Sequence, residues 1–269
     1  MPFHSVLRVA LLLGYLTNSI VSPAQKATEI RRFQLKQVQQ GVAVDQMHFY
    51  VINNHSLTKH TKVDGKQVAA WEDTTGLLKH LNSGVVIGQK LYCTHSNYPD
   101  VPMASSIEIF DTRTLKHVGN HSFGLFPGSM TWADFHNGYW WVAFANYSNK
   151  SMAEGRDNRW TTLVKFNENW QQLEAWAFPA NVLQAFAPYS TSGGTWGPDG
   201  LIYCTGHDKP ELYVLKLPER GHTLQYVKTI PTVSEGQAFA IDRSVKNKVI
   251  LFGITRNDNY VVVSQMDGL

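Results

Sequence analysis

Two histidines stand in matching contexts. His95 closes Leu91-Tyr92-Cys93-Thr94-His95, and His207 closes Ile202-Tyr203-Cys204-Thr205-Gly206-His207, one place later if Gly206 is a one-residue bulge. An imidazole titrates near neutrality, so either ring could take up or release a proton. Glu235 offers a carboxylate and Arg256 a guanidinium at what should be the same level of the fold, while Arg156, Asp157 and Arg159 sit on a stretch of their own. A poised histidine beside a carboxylate, with arginines able to grip an oxyanion through two nitrogens, suits hydrolase, lyase or cyclotransferase chemistry on a small polar or carbohydrate-like substrate. The catalytic set expected is therefore His95, His207 and Glu235. The substrate-binding set expected is Arg156, Asp157, Arg159, Arg256, Asn54 and Tyr189. A bland reading competes for each histidine, as a hydrogen-bonded residue at a strand end. His95, His207 and Glu235 also have metal-ligand chemistry, and a divalent metal is the one cofactor the sequence admits. There is no Gly-x-Ser-x-Gly elbow and no phosphate-binding glycine loop.

These groups can meet only if a repeated scaffold brings distant segments together. Five segments begin with a small or polar residue and glycine and then run apolar: Gln40 to Asp45, Ser83 to Ile87, Gly128 to Trp132, Gly193 to Trp196 and Glu235 to Asp242. Tight turns such as Gly88-Gln89, Asn137-Gly138 and Asp199-Gly200 lead to second apolar strands, including Leu91 to Cys93 and Tyr139 to Val142. Alternating third strands follow, as in Ser106 to Asp111 and Thr162 to Phe166, and then fourth strands such as Gln225 to Lys228. Four antiparallel strands every 40 to 50 residues or so spell an all-β five-bladed β-propeller. The last repeat has only three strands, and Glu29 to Val38 is available to supply the fourth and close the ring. A β-sandwich would not account for five glycine-led strands. Short helices are expected at Thr75 to Leu81 and Ala180 to Phe186.

Before the propeller, residues 1–24 read as a cleavable signal peptide. Arg8 precedes the apolar run Val9 to Leu16, and Ser22-Pro23-Ala24 forms the cleavage site. Taking 24 from 269 residues leaves 245, five units of 49, as a single domain over 25–269. The chain is thus expected to be secreted or periplasmic, a monomer with no membrane span after cleavage. A formal net charge of +3 with only 17% charged residues leaves no basic stripe for nucleic acid. The two cysteines occupy equivalent strands of different repeats and are expected to be buried free thiols. Asp45, Asp111 and Asp242 fall where carboxylates cap turns, and Trp132, Trp140, Trp141 and Trp196 lie in strands as inter-blade filler or, more sharply, as a platform for a sugar.

The stretch Ser106 to Leu115 (SIEIFDTRTL) resembles blades of the YVTN and NHL-type propellers. The plan as a whole is similar to that of the secreted five-bladed glutaminyl cyclotransferases. Gly193-Gly194-Thr195-Trp196-Gly197 is the nearest approach to that family's Gly-Glu-Gly-Trp-type signature, so no catalytic role carries over. Two functions stay open: an exported enzyme acting on a small polar molecule at the channel mouth, or a non-catalytic propeller that holds a protein or glycan on the same rim.

Overall fold

The computed structural model describes Met1 and residues 25–125, 128–149 and 155–267. The expected leader, apart from Met1, lies outside the described residues. The chain opens with β1 (Ala27–Gln34) and proceeds through β2 (Gly41–Val44), β3 (His48–Ile52), β4 (Ser56–Thr61) and β5 (Gln67–Glu72), which form one antiparallel sheet without β1. The second sheet is β6 (His80–Ile87), β7 (Lys90–Ser96), β8 (Ser105–Asp111) and β9 (His117–Ser122). The third is β10 (Ser129–His136), β11 (Tyr139–Ala145), β12 (Thr162–Phe166) and β13 (Gln172–Ala177). After the helix α1 (Ala180–Phe186) come β14 (Gly193–Trp196), β15 (Ile202–Thr205), β16 (Glu211–Lys216) and β17 (Gln225–Pro231). The fifth holds β18 (Ala240–Ile241), β19 (Val249–Thr255) and β20 (Tyr260–Met266), with β1 paired to β20 as its outer strand. The molecule is a five-bladed β-propeller closed by its own N-terminal strand.

Apolar side chains collect between blades. Five buried clusters occupy the five junctions, from Phe49 against Phe252 at the closure to Trp132 and Trp141 against Trp196 between blades 3 and 4. The glycines of the inner strands follow from this packing. A Cβ on Gly41 would stand 2.4 Å from the Cβ of Ala238, and one on Gly194 would stand 2.3 Å from the Trp132 ring. Hairpins turn through left-handed residues, Asn137 at φ 52° followed by Gly138 at φ 80°, the pairing a two-residue turn demands.

Four sequence expectations need correction. Thr75 to Leu81 is not a helix, because Asp73 caps the backbone of Thr75 and Leu78 while His80 and Leu81 already pair with Ser96 and His95. The second inner strand starts before the expected Ser83, since β6 already takes in His80 and Asn82. The fifth inner strand is only Ala240–Ile241. Gly206 is no bulge, since β15 pairs in unbroken register and ends at Thr205; the register slips instead between Leu81 and Gly84. Cys93 and Cys204 are buried and unpaired, and α1 forms over the expected residues.

Candidate functional site

The loops that lead into each inner strand and those joining second to third strands emerge on one rim. On it, blades 4 and 5 bring four charged or ionisable groups into contact. His207 lies just past β15, its side chain 29% exposed, and its Nδ1 is 2.5 Å from Asp208 Oδ1. An N–H at Nδ1 donating to the carboxylate leaves Nε2 with its lone pair, the tautomer a proton acceptor needs. Burial pushes the His207 pKa down, against the pull of Asp208, so the ring is neutral at pH 7. The Tyr189 ring stacks on the imidazole at 3.9 Å between centroids. From the next blade, Arg256 donates through its backbone N–H at 3.1 Å and its Nε at 3.4 Å to Glu235 Oε2, and through Nη2 at 3.5 Å to Asp208 Oδ1. One guanidinium thus ties both carboxylates to the histidine.

A glycine makes this junction possible. At Gly236 a Cβ would come within 2.9 Å of the backbone of Gly206, Asp208 and Lys209, so only a bare backbone lets the Glu235 segment lie against the His207 loop. Gln237 then locks the two together, its Nε2 donating to the His207 carbonyl at 2.8 Å. Asp208 and Gln237 are site groups that residue type alone did not single out. Asp208 carried the clearer signal, being next to His207 in the chain.

The remaining expected residues divide. Asn54 lies on the same rim, where its Oδ1 accepts from Gln40 Nε2 and His80 Nδ1, each at 2.8 Å. His80 packs on Tyr98, Tyr98 on Tyr147, and Tyr147 belongs to the small apolar cluster that includes Tyr189. A belt of rings and amides therefore links Asn54 to the His207 group. His95 is not brought to it. Its ring is 8% exposed, its Nε2 accepts from the Lys79 N–H at 3.1 Å, and its Nδ1 lies 2.9 Å from Ser106 Oγ, which donates to the buried Glu108. Arg156, Asp157 and Arg159 are engaged among themselves and with a neighbour. Arg159 pairs with Asp157 at 2.7 Å, and Arg156 lies over the Trp160 ring. Among the described residues no three His, Cys, Asp or Glu side chains approach closely enough to hold a metal ion.

At the opposite end of the channel, two adjoining cavities of about 220 and 690 Å³ share Ile241, Asp242 and Arg243. Asp134, 1% exposed, sits there on blade 3 and accepts from Thr195 Oγ1, the Trp196 N–H and Arg243 Nη2. That pair ties blades 3, 4 and 5 together.

No protein-family model matches the sequence, and no curated protein is significantly similar to it. Solved structures do resemble the fold. A luciferin-regenerating enzyme superposes with a TM-score of 0.58 at 8% identity, over 91% of this chain and 96% of that one. The PQQ-bound form of an aldose sugar dehydrogenase from Streptomyces coelicolor superposes with a TM-score of 0.53, also at 8% identity, over 90% and 98%. At such identity the likeness is one of architecture.

Proposed function

We propose that this propeller is an exported enzyme acting on a small polar, carbohydrate-like molecule at the rim, where blades 4 and 5 meet. The observation that carries the reading is the continuous chain Tyr189, His207, Asp208, Arg256, Glu235, assembled from rim segments of the two adjoining blades 4 and 5. In this reading His207 Nε2 accepts a substrate proton, Asp208 fixes its tautomer, and Arg256 with Glu235 orients the polar substituents. Hydrolysis, elimination and cyclotransfer all need that proton transfer. Two carboxylates face one guanidinium and a neutral imidazole, an excess of one negative charge, so a neutral polyhydroxyl or a cationic molecule suits the rim better than an anion. Export rests on the signal-like character of residues 1–24.

A second reading keeps the same rim without catalysis. His80 and Tyr98, half-buried on the rim and packed on each other, are the kind of aromatic surface on which a glycan rests, and they favour a binding propeller. Thermal-shift screening with neutral sugars and amino sugars, followed by product analysis, separates the two. A ligand at 100 times its dissociation constant adds about 2.7 kcal/mol of stability. His207→Ala is expected to abolish turnover with little change in melting temperature, and Arg256→Gln to weaken binding. Binding without turnover in the wild type selects the glycan reading. Ligands held equally well by wild type, His207→Ala and Arg256→Gln would remove the site.

A further inference from the structure

The other end of the channel has an unbalanced set of polar groups. Every carboxylate lining its two cavities already accepts hydrogen bonds. Asp45 takes them from the Met47 and His48 N–H groups and the Tyr50 hydroxyl, Asp199 from the Leu201 N–H and the Tyr203 hydroxyl, and Asp267 from Gln265. Asp242 is held by Ser244 on one oxygen and by Lys62 at 2.5 Å on the other, and Asp134 by the contacts already given.

Three cationic side chains still have donors to spare. Arg243 spends only Nη2 on the protein, leaving Nε and Nη1 without a partner among the described residues, and its side chain is 42% exposed. Lys246 and Lys248, on the same loop, line the larger cavity and make no hydrogen bond among the described residues. Trp196 lines that cavity too and is 7% exposed, yet its buried Nε1 has no acceptor. Arg243 stays charged where it sits: burial works against the charge, but the Asp134 carboxylate outweighs it and raises the pKa. A staple between blades would need only the Nη2 contacts. The free guanidinium edge and the two ammonium groups answer to something else.

We infer that the foot of the channel is a second ligand site, for a small organic molecule bearing an oxyanion, which Arg243, Lys246 and Lys248 bind while its body occupies the cavity beside His136 and Trp196. The smaller cavity has room for about seven waters at ~30 Å³ each, and the larger for a sugar-sized body. His136 lies flat on Trp196 at 4.6 Å between centroids, and the two rings line that cavity together.

The indole N–H of Trp196 is also the reporter. In ¹H–¹⁵N correlation spectra, the eight tryptophans give eight indole signals, and Trp196→Phe identifies the relevant one. Titration with gluconate or glucose 6-phosphate is expected to move that signal saturably. Glucose should not move it, and inorganic phosphate should bind at least about tenfold more weakly than the better organic anion, having no body to bury. The double variant Lys246→Gln, Lys248→Gln, altered only at exposed positions, is expected to raise the dissociation constant by about tenfold. Arg243→Gln should abolish the shift, while His207→Ala, at the far rim, should leave it unchanged. Should Arg243→Gln unfold by stranding Asp134, the lysine variant decides alone. The inference is overturned if neither organic anion moves the signal, if glucose or phosphate matches them, or if the lysine variant binds as tightly as wild type.

Discussion

Glycines in the inner strands show how finely single residues set the blade spacing. Gly194→Ala drives a methyl into the Trp132 ring, which is fully buried and cannot withdraw, so a loss of about 1–3 kcal/mol is expected in chemical denaturation. Gly119→Ala, on an outer strand with nothing within 4 Å of the new methyl, should be neutral or slightly stabilising. An equal loss in both variants would mean that the glycines serve chain flexibility rather than close approach. His95 makes the complementary case. His95→Ala removes two part-buried hydrogen bonds, to the Lys79 N–H and to the Ser106 hydroxyl, and stability should fall by about 1–3 kcal/mol while chemistry at the rim persists. Loss of turnover in a His95→Ala protein of undiminished stability would instead place that ring in the reaction.

Strands were easier to read from the sequence than the groups they carry. A hairpin is a local event, so Asn137-Gly138 or Asp199-Gly200 between apolar runs announces itself within ten residues. Contacts across the ring do not. Asp134 and Arg243 lie 109 residues apart, and neither has neighbours in sequence that advertise a partner. His207 and Arg256 were legible as chemistry because their segments hold the same place in successive repeats. The helix expected at Thr75 to Leu81 failed for a tertiary reason, since ladder bonds to β7 outbid the weak helical preference of seven residues. Closure by β1 yields an element-scale expectation. Deleting residues 25–34 exposes the edge of β20 from Tyr260 to Met266, and the truncated protein should aggregate or melt well below the parent in light-scattering and calorimetric runs. A truncated monomer that melts with the parent would show that β1 contributes nothing to the ring.

Over the whole molecule, buried and half-buried histidines give the fold a directional response to acid. His60, His95, His121, His136 and His207 each have a pKa lowered from 6.5, with burial the foremost cause in every case. Above about pH 6.5 these rings are neutral whether the chain is folded or not. As the pH falls below that value the unfolded chain takes up protons that the folded one resists, so the unfolded state binds more protons and stability declines. The melting temperature should therefore drop between pH 7 and pH 5, before the carboxylates with lowered pKa values, such as Asp45 and Asp73, begin to protonate. A flat profile over that interval would contradict the burial of these rings.

The pairing of Ala27 with Met266, at the start of one strand and the end of its neighbour, also sets how the ring meets a mechanical load. Tension applied at residues 25 and 267 enters at the same end of the β1–β20 ladder and pulls its rungs apart one after another, as in opening a zip. A load directed along the strands would have to break them together. The seam that closes the propeller is for this reason its point of lowest mechanical resistance, and under traction the outer strand of blade 5 peels away before any other blade is disturbed.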